Sequence, residues 1–264
     1  MANKIKAKIS SLLRKNLTEN KVLATYEEEG VTYKVIDTVS SSSLFKSVRS
    51  LKFKTENSDV IYTHSAVYTD PAEKRQPYLP VGQDIISRWC RAFSPESALV
   101  LGCAGCAIPR FLYLSYENIR ITGVELLPLL IDIAKKYFFV NDMSDRFTLA
   151  QGDAFKYVKE CAPDTEDIIL VDIFDTNRLP EDVFSDEFIG NALTASSESS
   201  LILFNFIDSD PDGIRAFAKK ITLPYGEKYV VATENRCFLA LAKSKEKEKL
   251  DAFRKALDNC EIIN

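Results

Sequence analysis

The feature that most constrains the fold is a change of period after Pro95, where apolar runs begin to alternate with stretches of helical period. The runs are SALVLG, RITGVEL, RFTLAQGD, EDIILVDIF and SLILFNF, and the stretches are AIPRFLYLSY, LPLLIDIAKKYFF, AFKYVKEC, DEFIGNALTAS and PDGIRAFAKKI. Several runs are apolar throughout, which is typical of parallel strands that are covered on both faces. Repeated β-α units of this kind predict a doubly wound α/β domain.

The last part of the sequence predicts an antiparallel edge for this otherwise parallel sheet. The runs EKYVVAT and RCFLALAKS are separated by only a few residues, including Glu234 and Asn235. So short a connection predicts an antiparallel hairpin that closes the sheet edge. The charged stretch KEKEKLDAFRKALDN predicts a C-terminal surface helix.

The first part of the chain has another period. From Tyr33 to Tyr68, short runs alternate apolar and polar residues, which predicts a small antiparallel β unit. The proline-bearing TDPAEKRQPYLP ends this unit, and the basic MANKIKAKISSLLRKN before it predicts a surface helix. We therefore expect two units, an N-terminal helix with a small antiparallel β domain over 1–80 and the α/β domain over 81–264.

Charge and composition exclude several classes of partner. The net charge of −4 argues against nucleic acid as the main partner, because phosphate binding needs a concentrated basic face. No run approaches the roughly 20 apolar residues that a membrane span needs. Six scattered cysteines in a chain of 264 residues suit a reducing compartment. We expect a folded cytoplasmic protein.

The small residues GCAGCA, from Gly102 to Ala107, allow three interpretations. They are a thiol pair at the C-x-x-C spacing, a cradle for a nucleotide, or only a tight turn. Structural zinc is not expected, because there is no second C-x-x-C and His64 is the only histidine. A redox motif would have an aromatic residue and a proline near the thiols, so we expect Cys103 and Cys106 to be small packing residues.

Acidic residues follow the strands at the edge where ligands bind in such sheets. Gly102 ends the first strand, and Glu125 ends the second about 23 residues later, close to the spacing of an acid that binds ribose hydroxyls. Asp153 follows the third strand, where it could bind adenine and cap the next helix. Asp172 and Asp175 follow the fourth strand, where two carboxylates can orient and deprotonate an amine. Each acid taken singly could instead be a solvated or helix-capping carboxylate.

The four acids together favour a cationic ligand. A pyrophosphate beside so many carboxylates would be repelled, so a dinucleotide fits less well than a sulfonium compound. We therefore expect S-adenosylmethionine, or its decarboxylated form, as co-substrate, with no metal.

The sequence resembles the spermidine synthase-like branch of the class I S-adenosylmethionine-dependent transferases. The motifs that carry the resemblance are ALVLGCAGCAIPR, ITGVELLPLLIDIAKKYF, LAQGDAFKYV and DIILVDIFDTNRLPEDVFSDEF, in order and at family-like spacing. The resemblance implies a seven-stranded Rossmann-like methyltransferase sheet with one antiparallel strand, a small β domain before it, and a homodimer.

The resemblance also implies roles for the donor-binding residues. The loop that contains Gly102 and Gly105 would lie against the donor. Glu125 would bind the donor ribose, and Asp153 with Ala154 would contact adenine.

Four further residues would face the acceptor or the donor tail. Asp172 resembles the catalytic acid–base of the family, and Asp175 resembles its second amine-binding carboxylate. Tyr78 corresponds to a substrate-contacting tyrosine, and His64 to a polar residue of the β domain that reaches the donor tail. His64 could equally be an ordinary strand residue.

Two departures from the family leave the reaction open. Aminopropyltransferases have an Asp that binds the amine of the decarboxylated donor where this chain has Gly105, and TNRLPED replaces their Pro-Gly-Pro-rich loop. Loss of such a charge-assisted hydrogen bond weakens binding by roughly 1.5–3 kcal/mol. We favour methylation of a small amine-containing acceptor by intact S-adenosylmethionine. The alternatives are polyamine aminopropyl transfer and a non-catalytic nucleotide-binding module.

Overall fold

The computed structural model describes residues 18–40, 46–70, 73, 75–78, 86, 89–174, 179–207, 210–232, 236–256 and 261–263. These residues form two β-sheets with helices packed on both faces of the larger one. The predicted N-terminal helix and the expected domain boundary near residue 80 lie outside the described residues.

The N-terminal sheet has four antiparallel strands in chain order. They are β1 (Thr18–Glu28), β2 (Val31–Ser40), β3 (Val48–Thr55) and β4 (Tyr62–Tyr68). Its inner face buries Tyr33, Val35, Leu51 and Phe53. The sheet begins earlier than the predicted unit, because β1 is a largely exposed edge strand whose sequence does not alternate clearly.

The larger sheet has the predicted doubly wound arrangement. Its strands are β5 (Ser97–Leu101), β6 (Arg120–Glu125), β7 (Phe147–Gln151), β8 (Glu166–Val171), β9 (Ser196–Ile207), β10 (Gly226–Ala232), β11 (Arg236–Lys243) and β12 (Glu261–Ile263). Their order is β12-β10-β11-β9-β8-β5-β6-β7, and β5 to β9 are parallel. The antiparallel β10–β11 hairpin is present as predicted. The short β12 adds an eighth strand beyond β10.

Over the described residues from Ser97 onward, six helices follow strands of this sheet. They are α1 (Ala107–Ser115), α2 (Pro128–Tyr137), α3 (Ala154–Glu160), α4 (Asp186–Ala195), α5 (Pro211–Lys220) and α6 (Lys247–Ala256), with 3-10 turns at Val140–Met143 and Glu181–Phe184. Asp153, Ser185 and Asp210 cap α3, α4 and α5, since each side chain accepts hydrogen bonds from the first turn. Successive residues of β5 contribute to two apolar clusters, one on each face of the sheet.

The C-terminal helix α6 is more than a surface helix. Its Phe253 is fully buried, with ring centroids 5.9 Å from Trp89, 5.5 Å from Phe93 and 5.2 Å from Tyr229. Phe253, with the partly buried Leu250, therefore packs a largely charged helix against the core cluster on this face of the sheet.

The two sheets are joined through α2. Leu130, Ile133 and Phe138 pack against the inner face of the N-terminal sheet. The Arg49 guanidinium of β3 donates a 2.9 Å hydrogen bond to the Tyr137 carbonyl oxygen. Within the described ranges, no helix has the length and apolar character that a membrane crossing requires.

Candidate functional site

A cavity of about 1310 Å³ lies between the N-terminal sheet and the carboxyl ends of the parallel strands. Doubly wound sheets bind ligands at the point where the strand order reverses. In this sheet the order reverses at β5, which lies between β6 and β8, and the cavity lies at this point. Seven of the predicted site residues line it: His64, Tyr78, Gly102, Glu125, Asp153, Ala154 and Asp172. Gly105 does not line it, and Asp175 lies outside the described residues.

Gly102 lets the loop after β5 turn against the neighbouring strand. Its φ is +85°, and a Cβ there would lie 2.3 Å from the carbonyl oxygen of Asp172. A side chain at this position would therefore collide with backbone. The loop is held close to the end of β8. The backbone amide of Asp172, the residue after β8, donates a 2.8 Å hydrogen bond to the carbonyl oxygen of Leu101.

Glu125 joins this loop to the start of α2. One carboxylate oxygen accepts hydrogen bonds from the amides of Cys103, at 3.1 Å, and Ala104, at 2.8 Å. The other oxygen accepts from the amide of Leu127 at 3.1 Å. The residue is 7% exposed. Glu125 therefore organises the loop and also faces the cavity, while its contact with a ribose stays a prediction.

Asp153 lies at the end of β7. Its Oδ1 accepts a 2.8 Å hydrogen bond from the amide of Lys156, so it caps α3 as the sequence predicts. Ala154, beside it, is buried at the cavity wall. Asp153 and Ala154 thus both line the cavity, and their contact with adenine stays a prediction.

Asp172 belongs to a polar chain that crosses three strands. The Asn205 amide donates a 2.6 Å hydrogen bond to its carboxylate, and the Arg236 guanidinium donates a 3.3 Å hydrogen bond to the Asn205 side-chain oxygen. Burial raises the pKa of Asp172, whereas the Asn205 hydrogen bond and the Arg236 charge lower that pKa. The carboxyl therefore holds its proton more tightly than a solvated aspartate and still has partners for its ionised form.

Sequence reasoning missed Asn205 and Arg236, although both left a signal. Asn205 is the one polar residue in the run LILFNF, near the end of β9, and is only 8% exposed. Arg236 begins the antiparallel β11, and the first residue of such a strand lies beside the last residues of its parallel neighbours.

Tyr78 reaches the cavity from the segment after β4. Its amide donates a 2.7 Å hydrogen bond to the carbonyl oxygen of Ala66, and its ring meets that of Tyr68 edge-on at 5.6 Å. The tyrosine is thus fixed to the N-terminal sheet, and its contact with a substrate stays a prediction.

The two thiols of the C-x-x-C spacing are buried and not bonded to each other. Burial is the main cause of a pKa of Cys103 well above the ordinary thiol value. The Cys103 sulfur lies where a Cβ on Gly123 would approach within 2.6 Å, so it fills the space above that glycine. Over the ranges that the structure describes, no three His, Cys, Asp or Glu side chains form a group that could hold a metal ion.

Comparison with known proteins gives one family. The spermine/spermidine synthase domain matches residues 90–204. The polyamine aminopropyltransferase of Streptococcus uberis is 28% identical over 134 residues, 48% of this chain and 47% of the relative. That of Vibrio vulnificus is 28% identical over 159 residues, 60% of this chain and 52% of the relative. This part of the chain is therefore similar to spermine and spermidine synthases.

Solved structures agree with the fold of this chain. A probable spermidine synthase from Corynebacterium glutamicum has a TM-score of 0.68 at 15% identity, covering 92% of this chain and 91% of its own. Human methyltransferase-like protein 13, in complex with SAH, has a TM-score of 0.51 at 20% identity, covering 67% and 92%. The predicted Rossmann-like methyltransferase sheet is confirmed. The chain spans about half the length of the curated relatives it matches.

The predicted departure at Gly105 has a structural counterpart in the loop after β5. The Gly105 amide donates a 3.0 Å hydrogen bond to the Ser65 hydroxyl of β4. A Cβ on Gly105 would lie 2.7 Å from the Ser65 Cβ and 3.3 Å from the Phe138 ring. Ser65 thus occupies the space into which an acidic side chain at this loop position would project.

Proposed function

We propose that the chain is an aminopropyltransferase, which moves the aminopropyl group of decarboxylated S-adenosylmethionine to a small amine. The domain match and the curated relatives support this reaction. They do not support methylation, which the sequence favours through Gly105. The sequence-based preference is therefore reversed in favour of its alternative.

The observation that carries the proposal is the Asp172–Asn205 pair at the wall of a cavity that Glu125 and Asp153 also line. These side chains come from the ends of four parallel strands. They give one cavity a proton acceptor, a carboxylate for ribose hydroxyls and a polar group for adenine. A cationic donor fits such a wall better than a phosphate-rich ligand.

The proposed step is an in-line displacement at the sulfonium. The neutral amine of the acceptor attacks the propyl carbon bound to sulfur, a nitrogen–carbon bond forms, and the carbon–sulfur bond breaks. Its electron pair stays on sulfur, which leaves neutral 5′-methylthioadenosine. The new ammonium then gives its extra proton to Asp172. Alignment of the two substrates supplies much of the rate, because the sulfonium is already a good leaving group.

The polar chain behind Asp172 suits this role. Burial favours protonation of the carboxyl, and Asn205 and Arg236 favour the ionised form. A base that must accept a proton and release it after each turnover works best with its pKa near the operating pH. Asp175, with Tyr78, would hold the acceptor amine, as the family resemblance implies.

A second candidate rests on Gly105 and Ser65. Because no carboxylate can project from Gly105 past Ser65, the loop lacks the acid that would select a donor with a free amine tail. Methyl transfer from intact S-adenosylmethionine needs no such acid. The same cavity and the same base, Asp172, would serve that reaction.

Product analysis tests these candidates. The protein is incubated with putrescine or longer diamines and either decarboxylated or intact S-adenosylmethionine, and products are identified by mass spectrometry. We expect an aminopropylated amine and 5′-methylthioadenosine from the decarboxylated donor alone. A methylated amine from the intact donor supports the second candidate. Donor binding without any product, unchanged in Asp172→Asn, indicates a non-catalytic nucleotide-binding protein. The homodimer implied by the resemblance is proposed too, to be measured by light scattering.

A further inference from the structure

The charges along the carboxyl edge of the large sheet change sign after β8. The strand order places β5, β6 and β7 on one side of β8, and β9 and β11 on the other. On the first side the cavity is lined by the carboxylates of Glu125 and Asp153. On the second side it is lined by the Asn205 amide and the Arg236 guanidinium, and Asp172 lies between the two sides. The acids and the cation therefore face different parts of one cavity.

The acids of the N-terminal sheet lie near the first side as well. Burial raises the pKa of Tyr33 to about 12, and the negative charges of Glu28, Glu125 and Glu29 raise that pKa too. Because one tyrosine is close to all three carboxylates, Glu28 and Glu29 lie near Glu125 and not near β11. The other cation that lines the cavity in the described ranges, Lys52, belongs to β3 of the N-terminal sheet.

The strand register directs Arg236 into the cavity. Phe238 of β11 pairs with Asn205 of β9, and Arg236, two residues earlier, pairs with Ile207. Alternate residues of a strand share a face, so Arg236, Phe238 and Asn205 project from the same face of the sheet. The 3.3 Å hydrogen bond from Arg236 to Asn205 and the 2.6 Å hydrogen bond from Asn205 to Asp172 connect the three side chains. One amide group therefore separates the cation from the proposed proton acceptor.

An in-line displacement places the acceptor on the Arg236 side of Asp172. In the proposed reaction the donor lies over the loop after β5 and the acids of β6 and β7. The attacking amine must approach the propyl carbon from the side opposite the sulfur. The cavity of about 1310 Å³ has space for both molecules, because pockets for one ligand usually measure about 300–1,000 Å³. The acceptor then extends from Asp172 toward β9 and β11.

The charge of Arg236 determines what the far end of the acceptor can be. A diamine would bring a second ammonium toward the guanidinium, and like charges repel more strongly in a half-buried site than in water. A carboxylate would instead accept two parallel hydrogen bonds from the guanidinium, a geometry that arginine matches and lysine does not. The second side of the cavity therefore fits an anionic group.

We propose that the acceptor is a small amino acid whose amine lies at Asp172 and whose carboxylate binds the Arg236 guanidinium. This inference rests on the proposed function, because it assumes aminopropyl transfer and narrows the small amine to one with a carboxylate. Because the Asn205 amide separates Asp172 from Arg236, a short carbon chain must separate the amine from the carboxylate. 4-Aminobutanoate has such a chain, and an α-amino acid does not.

The bond changes are those of the proposed step. The amine nitrogen forms a bond to the propyl carbon, and the carbon–sulfur bond breaks with its electron pair on sulfur. The extra proton of the new ammonium passes to Asp172, and the carboxylate takes no part in the bond changes. The products are an N-aminopropyl amino acid and 5′-methylthioadenosine.

A matched set of four-carbon acceptors tests the inference. 4-Aminobutanoate, 1-aminobutane and putrescine have the same reacting amine and end in a carboxylate, a methyl group and an ammonium. We expect kcat/KM for 4-aminobutanoate to exceed that for 1-aminobutane about tenfold or more, the usual effect of a hydrogen bond to a charged group. Putrescine and the isomer 2-aminobutanoate should be poorer acceptors than 4-aminobutanoate. A kcat/KM for putrescine equal to or above that for 4-aminobutanoate overturns the proposal.

Substitution of Arg236 distinguishes carboxylate binding from an effect on Asp172. Any effect of Arg236→Met on Asp172 is shared by all acceptors, so the ratio of kcat/KM for 4-aminobutanoate to that for 1-aminobutane isolates the carboxylate contact. We expect this ratio to fall about tenfold or more in Arg236→Met, and Arg236→Lys to retain part of it. Arg120→Met, at the exposed start of β6, is the matched control and should keep the ratio. An unchanged ratio in Arg236→Met contradicts the proposal.

Calorimetry without turnover separates this inference from the proposed function. 4-Aminobutanoate should bind to the complex with 5′-methylthioadenosine about tenfold or more tightly than 1-aminobutane does. Arg236→Met should remove this difference and keep its affinity for 5′-methylthioadenosine, which shows that the variant is folded. If aminopropylated product forms but the difference in binding is absent, only the carboxylate site is wrong. If the difference is present but no acceptor is aminopropylated, the proposed function is wrong and the carboxylate site stands. If both are absent, both proposals are wrong.

Discussion

The two walls of the cavity are built in different ways. The floor consists of the carboxyl ends of β5 to β9 with the loop 102–106, and the roof is the inner face of β2 to β4. Floor residues are fixed by backbone hydrogen bonds between neighbouring strands and by the Glu125 carboxylate. The roof is positioned by its packing on α2 and by the contact of Ser65 with Gly105.

This difference suggests a division of labour. The floor holds the groups that the proposed reaction needs, with Asp172 at their centre. The roof holds His64 and Tyr78, whose contacts with the donor tail and the substrate stay predictions. Changes in the floor should therefore alter the rate, and changes in the roof should alter donor affinity. Each prediction below tests one side of that division.

The largest effect is expected at Asp172. Asp172→Asn keeps the size of the side chain and removes the proton acceptor, so kcat should fall about 10²–10⁴-fold. Affinity for 5′-methylthioadenosine should change little, because that product has no amine. Steady-state kinetics and calorimetry measure the two quantities. Asp132→Asn, on the exposed face of α2, is the matched control and should behave like the unsubstituted protein. If the kcat of Asp172→Asn stays within tenfold of that of the unsubstituted protein, Asp172 is not the proton acceptor and the proposed role of the floor is wrong.

Alanine substitutions at the two loop glycines compare the floor with the roof, because Gly102 lies against the floor and Gly105 against the roof. A Cβ at Gly102 would meet the Asp172 backbone at 2.3 Å, with φ at +85°, whereas a Cβ at Gly105 would meet the Ser65 side chain at 2.7 Å. We expect Gly102→Ala to reduce the free energy of unfolding by about 3 kcal/mol and Gly105→Ala by about 1–2 kcal/mol. Chemical denaturation measures both.

A second substitution checks that comparison. Ser65→Gly removes the side chain that a Cβ at Gly105 would meet. It should therefore reduce the stability loss caused by Gly105→Ala and leave the loss caused by Gly102→Ala unchanged. Equal relief of both variants would mean that the roof and floor contacts around this loop are not independent.

The sequence predicted the floor well because its residues follow strand ends. Once apolar runs locate β5 to β8, Gly102, Glu125, Asp153 and Asp172 must lie at one edge of the sheet, whatever the details of packing. Asn205 and Arg236 escaped because neither is an acid that follows an apolar run: Asn205 lies within the run of β9, and Arg236 begins the antiparallel β11. Their meeting with Asp172 depends on register between strands far apart in the chain.

The roof could not be predicted in the same way. Strict alternation would send His64 and Ser65 to opposite faces of β4, and a β-bulge opposite Leu51 and Lys52 interrupts that alternation. No turn residue or change of composition marks that bulge in the sequence. The block at Gly105 also depends on the distance between two sheets, which residue patterns do not contain.

A smaller effect is expected at Asn205. Asn205→Leu removes the hydrogen bond that lowers the pKa of Asp172, so that pKa should rise further and the base should be protonated at higher pH. The loss of kcat should be about tenfold at the acid end of the pH profile and should shrink as the pH rises. Arg236→Met should act in the same direction, and Arg236→Lys should restore much of the activity. A loss independent of pH would indicate misplaced substrate instead.

The smallest effect is expected at Glu166, which begins β8 at the end opposite Asp172. Burial, with the nearby Asp167 charge, raises its pKa from 4.5 to about 7. The folded state then binds this proton more tightly than the unfolded chain, so stability falls as the pH rises from 4.5 to 7. Glu166→Gln removes the buried charge, and its thermal stability should exceed that of the unsubstituted protein increasingly over that range.

Above about pH 7 the difference in melting temperature between Glu166→Gln and the unsubstituted protein should be constant. In a protein of this size, 1 kcal/mol of stability corresponds to roughly 2–4 °C. The exposed Glu117→Gln is the matched control and should show no such trend. The activity of Glu166→Gln should be unchanged, because the amino ends of the parallel strands contribute nothing to the cavity floor. A loss of activity would mean that the chemistry extends along the whole of β8, and the division between floor and roof would then be too simple.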